Sequence, residues 1–432
     1  MLLAPALWNG YPLLQSDTGG YLARWYEGYL VPSRSTVFGL YLHLGEDTYF
    51  SLNLVFQVLS TMWILQLILR VFGLARPWRL LALGVALTLT TALPWLASML
   101  LTDIFAGLSV LSLFVLVLHG DKISTAEKGA LFALTAFAAA THSATLAVLL
   151  GLCCVGWIAR PFLRERIAIA SLMQGTLAIA AGAVMLLAAN FALSGRLAWT
   201  PGGYSIAFAR MLQDGIVTSH LGDHCAELHL KLCPYKDHLN ETADEFLWSR
   251  ESVFNRLGRF AGLGDEMAFI AIHSLAEYPL WQAKAALIAA AHQLILVATG
   301  ENTSRPLPHT HGIIARYLPQ QLKLMRAARQ QSGYIAFGPI NLVHVPIALA
   351  SILIVFVIFV NAMWRGLCDD FTLLAATVSL ALLGNAIVCG VISGPHDRYG
   401  SRLVWIATLA VLIAVFRRLA RDDEPAGDSL AL

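Results

Sequence analysis

Long apolar segments separated by short polar ones make up most of this chain. They fall at residues 53–72, 80–100, 104–118, 129–141, 144–158, 167–193, 340–363, 371–392 and 403–416. A helix needs roughly 20 mostly apolar residues to cross a bilayer, so the pattern predicts an all-α polytopic membrane protein with about nine transmembrane helices. The pair at 129–141 and 144–158 is short and reads as a helical hairpin turning at Thr141-His142-Ser143. Short helices are tolerated where they line a cavity inside a bundle. Residues 1–8 are too short to span; they read as the tail of a longer first helix or as a segment inserting partway.

Composition agrees with the pattern. Of the 432 residues, 57% are hydrophobic and 13% charged, against about 25% charged in soluble domains. A net charge of +2 gives no basic surface for a nucleic acid. No P-loop, dinucleotide loop, nucleophile elbow or HExxH is present, so ATP-driven transport and zinc hydrolysis have no motif to rest on. No histidine cluster with zinc spacing stands out.

Basic residues orient the crossings. Arg70, Arg76 and Arg79 mark one cytoplasmic loop; Lys122 and Lys128 mark a second; Arg160, Arg164 and Arg166 mark a third. Arg365 marks a fourth, and Arg417, Arg418 and Arg421 place the C-terminal end inside. Residues 1–52, the Thr102-Asp103 corner, the His142 turn, 194–339 and 393–402 are then extracytoplasmic. Three regions follow: an N-terminal transmembrane module (1–193), an extracytoplasmic loop region (194–339), and C-terminal transmembrane helices with a short cytoplasmic tail (340–432). The long loop carries an amphipathic stretch at 280–299 and a basic one at 323–329, and reads as short helices packed over the outer face. Cys225 and Cys233 lie within it, and an oxidising compartment would let them form a disulfide.

Every candidate for chemistry falls on that outer face. Asp17, in Ser16-Asp17-Thr18-Gly19-Gly20, sits where an apolar run meets the surface. Partial desolvation would raise its pKa toward the working range of a general base; the competing role is a helix cap. Gly19 and Gly20 would let a substrate approach the backbone. Arg34 can fork onto a phosphate or anchor at the interface. Asp103 can cap the following helix or assist Asp17 as a second carboxylate, and the two acids are also a candidate pair for a divalent cation. His142 can bind an anionic headgroup or hydrogen-bond a backbone group. His396-Asp397-Arg398-Tyr399 is the densest polar island, with Arg398 suited to neutralising a phosphate.

These positions, in this order, resemble the GT-C superfamily of multi-span glycosyltransferases, which use polyprenyl-phosphate-linked sugars. Asp17…Tyr21 looks like that group's catalytic Asp followed by Tyr in the first outer loop. Ser33-Arg34…Phe38 is similar to its basic-aromatic stretch, Thr102-Asp103 to its second acidic corner, and Arg398-Tyr399 to its Arg-Tyr pair before a late helix. The resemblance implies an inverting sugar transfer from a polyprenyl-phosphate donor to an envelope glycan or lipid acceptor. It implies Asp17 as base with Asp103 beside it, and Tyr21, Arg34, His142, His396, Arg398 and Tyr399 around substrate and phosphate. The setting it implies is a bacterial cytoplasmic (inner) membrane with a periplasmic active face. The residues also leave open a transporter or flippase for a lipid-linked glycan, and a non-catalytic envelope polysaccharide assembly protein.

Overall fold

The computed structural model describes residues 1–28, 30, 33–199, 202–240, 242–303, 306–333 and 335–422. The expected tail beyond residue 422 and the side chain of Arg421 lie outside the described residues. Among the described residues the fold is helical, with no strand beyond one isolated parallel bridge between Leu13 and Met99.

Five helices are long and apolar enough to cross a membrane: Ser51–Val71, Ile169–Ser194, Phe337–Arg365, Asp370–Val391 and Asp397–Ala420. By length and composition they mark an integral membrane protein. Leu342, Leu353 and Val357 stand exposed along the third of these. So large an unpartnered apolar surface needs lipid around it. Polar punctuation sets the helix ends. Ser124 and Glu127 cap Thr125–Thr141 reciprocally. Asp369 accepts the Phe371 N–H at 2.8 Å at the start of Asp370–Asn385. Gly366, at φ +64°, ends Phe337–Arg365.

Three expected segments differ from what forms. The 80–100 segment is not one helix: Pro77–Thr90 stops at Thr91, and a short Leu93–Ala97 helix follows. Thr91 is extended, its hydroxyl bonds the Leu87 carbonyl at 2.6 Å, and Pro94 begins the next turn. Residues 371–392 change from α-helix to a π turn at Ala386–Val391. There Gly390 lets the Pro279–Ile295 helix approach so closely that a Cβ would lie 2.8 Å from the Ala289 carbonyl oxygen. The last helix begins at Asp397, well before residue 403, so Asp397-Arg398-Tyr399 forms its first turn rather than a loop. An acidic residue in that turn suits the helix dipole.

Ion pairs gather one end of the bundle. Arg70 pairs with Glu127 at 2.8 Å, Lys122 and Arg166 both reach Asp370, and Arg417 lies 3.6 Å from Asp369. Exposed pairs of this kind add little stability. Their value here is positional, because they bring four of the basic segments to one end.

The 194–339 region divides. Residues of 208–271 build a core of their own around Phe208, Phe246, Phe254, Met267 and Ile270. Leu307, Ile313, Ile314 and Met325 instead join the main core. The segment is therefore partly a separate lobe and partly a wall of the bundle. The expected short helices form in both parts, but those of the second join the main core.

Close helix packing makes one position sensitive. A Cβ on Gly182 would sit 2.4 Å from the Ala136 carbonyl oxygen and 2.7 Å from the Ala139 Cβ. Gly182→Ala should lower the thermal unfolding midpoint in detergent by the equivalent of about 1–3 kcal/mol of overpacking. Gly84→Ala, with nothing within 4 Å of its new Cβ, should not. Equal midpoints for the two variants would show that the 125–141 and 169–194 helices do not pack this tightly.

Candidate functional site

Two backbone bonds bring the first acids together. The Leu13 N–H donates to the Ser98 carbonyl at 2.9 Å, and the Leu100 N–H donates to the Leu13 carbonyl at 3.0 Å. Thr18 Oγ1 adds a bond to the Leu100 carbonyl at 3.1 Å. The start of the Ser16–Glu27 helix thus lies against the start of Asp103–Leu118. Gln15, not Asp17, is the N-cap of the first, its N–H donating to Thr18 Oγ1 at 3.0 Å. The Asp17 side chain is therefore free of capping duty.

That carboxylate faces two arginines. Arg34 bonds one oxygen, and Arg398 Nη1 bonds the other at 2.7 Å. Arg398 also directs Nε to Asp103 Oδ2 at 2.7 Å, with Nη2 3.4 Å from Oδ1. Asp103 is only 2% exposed, so this pairing is what makes its burial tolerable. Neither helix capping nor a cation between the acids describes the pair: the guanidinium fills the place between Asp17 and Asp103.

Arg34 is positioned by its neighbours. Ser35 Oγ donates to the Ala140 carbonyl at 2.7 Å, and Thr36 Oγ1 donates to Asn190 at 2.8 Å. The Arg34 carbonyl accepts from buried Arg24. The guanidinium also lies 5.7 Å from the Tyr21 ring centroid. Tyr21 itself is 1% exposed and packs edge-on against Phe38. It backs Arg34 and presents no surface to a substrate.

The last helix is fixed from the other side. Glu301 accepts the Arg398 backbone N–H at 2.7 Å and pairs with His396 Nδ1 at 2.9 Å. Gln293 clasps the His396 backbone by two bonds, at 2.8 and 2.9 Å. Tyr399 sets its ring 5.5 Å from His396, with Arg402 5.6 Å away. His396, Arg398 and Tyr399 are thus brought beside Asp17, Asp103 and Arg34.

Several expected roles change. Burial alone would raise the Asp17 carboxyl, but Arg34 and Arg398 outweigh it and hold it at about 2. The expected rise toward a base's working range does not occur in this state. Gly19 and Gly20 admit protein rather than substrate: a Cβ on Gly19 would lie 2.6 Å from Thr310 Cα, and one on Gly20 would lie 3.2 Å from Arg34 Cγ. His142 caps the Ser143–Ala159 helix, its Nδ1 accepting the Ala144 N–H at 3.2 Å. Burial, then Arg402, Arg398 and Arg34, hold it well below an ordinary histidine. A neutral cap offers no charge to a headgroup.

Two residues of the site escape a reading of the chain. Glu301 is a single acid in a polar stretch, with no periodicity around it. Arg402 is 1% exposed at the edge of an apolar run and bonds Asn385 Oδ1 at 2.7 Å. Its signal was present in its place four residues after Arg398, on one helix face. In the long loop, Cys225 and Cys233 form a disulfide, with Cα atoms 5.5 Å apart.

The closed site holds little space. A cavity of about 20 Å³ lies beside Gln15, Trp95, Asp103, Glu301 and Arg398. That is room for a water-sized group, not for a sugar.

Glu301 also sets a pH dependence. Its hydrogen bond raises the His396 pKa against the opposing effect of burial. A raised folded-state value means that the stabilisation is complete below about 6.5, the unfolded histidine value, and is lost as pH rises through the folded value. Thermal stability should therefore decline across that interval, and His396→Gln should flatten the decline. An identical slope in the variant would remove His396 as its source.

Comparison with known proteins returns no match, whether with family models, with curated proteins or with solved structures.

Proposed function

We propose that this chain is a membrane glycosyltransferase with a GT-C-like arrangement of about nine crossings, the five long helices being joined by shorter ones that share the bundle. It would move a sugar from a polyprenyl-phosphate donor to an envelope glycan or lipid acceptor. The observation that carries this reading is the convergence of Asp17, Arg34, Asp103 and Arg398 from distant parts of the chain into one partly buried cluster.

The chemistry starts from competition. A phosphate can take two guanidinium forks at once. In binding Arg34 and Arg398, the donor's phosphate displaces Asp17 from both. Without those partners the Asp17 carboxyl titrates higher, because the charges that hold it down are now spent on phosphate. Asp17 then takes the proton of the acceptor hydroxyl as its oxygen attacks the anomeric carbon. The bond from that carbon to the phosphate oxygen breaks, and lipid phosphate leaves with its charge on the two arginines. Attack opposite the leaving group inverts the anomeric centre. Asp103 acts by holding Arg398, and His396 by holding Glu301 against the same turn.

The flippase reading needs a polar path through the bundle. Asn190 is engaged with Thr36 and the Ala198 carbonyl, and Asn385 with Arg402 and the Tyr399 carbonyl. Gln66, Gln174 and Asn361 face outward. These placements favour transfer over transport.

The proposed setting is a bacterial inner membrane with the cluster on the periplasmic side. The Cys225–Cys233 disulfide supports it, since such bonds persist in oxidising compartments. Exposed Cys368 lies beside Asp369 at the basic end. It should resist an impermeant maleimide in intact cells and react in inverted vesicles; labelling in intact cells would reverse the orientation. Asp17→Asn should reduce sugar transfer by roughly 10²–10⁴ and leave expression intact. Lipid-linked sugars extracted from a strain carrying it should show the donor accumulating. Wild-type turnover by the variant would exclude Asp17 as the base.

A further inference from the structure

Away from this cluster, the outer lobe holds a second group of side chains with its own chemistry. His220 and His224 lie four residues apart in the Ile216–His224 helix, on one face. Glu277 ends the neighbouring Arg259–Glu277 helix. Its Oε2 lies 2.7 Å from His220 Nδ1, and its Oε1 lies 3.1 Å from His224 Nε2. One ligand atom from each of the three falls within 4.8 Å of the others. Around a tetrahedral Zn²⁺, with bonds of about 2.0–2.2 Å, ligand atoms sit roughly 3.4 Å apart. The two measured separations are shorter than that spacing, and the 4.8 Å limit leaves room for small side-chain shifts to open the group around an ion.

A second observation sets this group apart from an ordinary histidine–carboxylate pair. His220 is 1% exposed, and its Nε2 has no hydrogen-bond partner among the described residues. Buried ring nitrogens are normally satisfied, so this ring is held in place at a cost. The frame around it is stiff. Val217, Leu221, Met267, Ile270 and Ala271 pack the two helices together. Tyr278 Oη donates to Asp223 at 2.6 Å across the same pair. The disulfide begins at Cys225, the C-cap of the histidine helix. Spacing pairs the two histidines, but the carboxylate comes from a separate helix and spacing does not reach it.

We propose that His220, His224 and Glu277 form a site for a divalent transition-metal ion of the Zn²⁺ class, which pins the two helices of the outer lobe. Two imidazoles and a carboxylate suit zinc better than the hard, all-oxygen preference of Mg²⁺ or Ca²⁺. Binding replaces the protons shared between Glu277 and the rings. Three protein ligands leave a fourth position for water. The site is independent of the sugar-transfer reading and of Asp17.

The test uses the untagged full chain in detergent, stripped with chelator and titrated with Zn²⁺ alone. One ion per chain should bind, and the thermal midpoint should rise with it. His224 and Glu277 are about one-third exposed, so replacing them leaves the lobe's core intact. His224→Ala and Glu277→Gln should each weaken Zn²⁺ binding by at least the roughly 10–100-fold that even outer-shell partners command. Asp223→Asn should not. Co²⁺ in the wild-type protein should give the intense visible bands of a tetrahedral ion, a readout that needs no variant. Zn²⁺ affinity equal in wild type and in the His224→Ala/Glu277→Gln double variant would overturn the proposal. So would a Co²⁺ spectrum no different from the aqueous ion.

Discussion

The guanidinium of Arg398, set between Asp17 and Asp103, is the interaction on which the rest of the polar cluster depends. It joins the first polar island, the second acidic corner and the start of the last helix. Its backbone N–H adds Glu301 from the long loop. Removing one partner from a buried pair of this kind typically costs about 3–5 kcal/mol, because the other charge is left unpaired. Among the described residues Arg398 supplies both side-chain hydrogen bonds of Asp103, and Arg402 Nη1, 4.0 Å from Oδ1, is the one further cation near it. The helix starts at Ser16, Asp103 and Asp397 are therefore mutually dependent, although they lie far apart in the chain.

The same interaction closes the site. Asp17 is held ionised and doubly bonded, and the space beside Arg398 is no larger than a water. So arranged, each Asp17 oxygen is bonded by an arginine. Under the proposed transfer, a phosphate does two things in one step: it takes the arginines and frees the carboxylate. Activation then requires donor in place, which would limit hydrolysis by stray water. The basic end of the bundle, by contrast, is a set of exposed pairs whose contribution is orientation rather than energy.

Most of the bundle was legible in the chain because apolar length is a local property. Residues 53–72, 167–193 and 340–363 became helices within a few residues of their expected ends. The failures were local as well. Thr90-Thr91 and Pro94 end one helix inside an apolar run. The last helix starts early because Asp397 and Arg398 find partners in Ala298, Glu301, Asp17 and Asp103. Membership of the cluster was legible to a fair degree, since Asp17, Arg34, Asp103 and Arg398 were all singled out. Their relations were not. Asp17's pKa depends on two guanidinium groups brought from residues 34 and 398, and spacing carries no information about that. Glu301, Arg402 and the His220–His224–Glu277 group were missed for the same reason: each gains its meaning only from a partner on another element.

Under the proposed transfer, phosphate and Asp17 compete for Arg34 and Arg398. Titration of purified wild-type protein, Asp17→Asn and Arg398→Ala with farnesyl phosphate measures that competition directly. Farnesyl phosphate should bind wild type, bind Asp17→Asn more tightly, and not bind Arg398→Ala. Affinity that is unchanged or weaker in Asp17→Asn, or that survives the loss of Arg398, would contradict it.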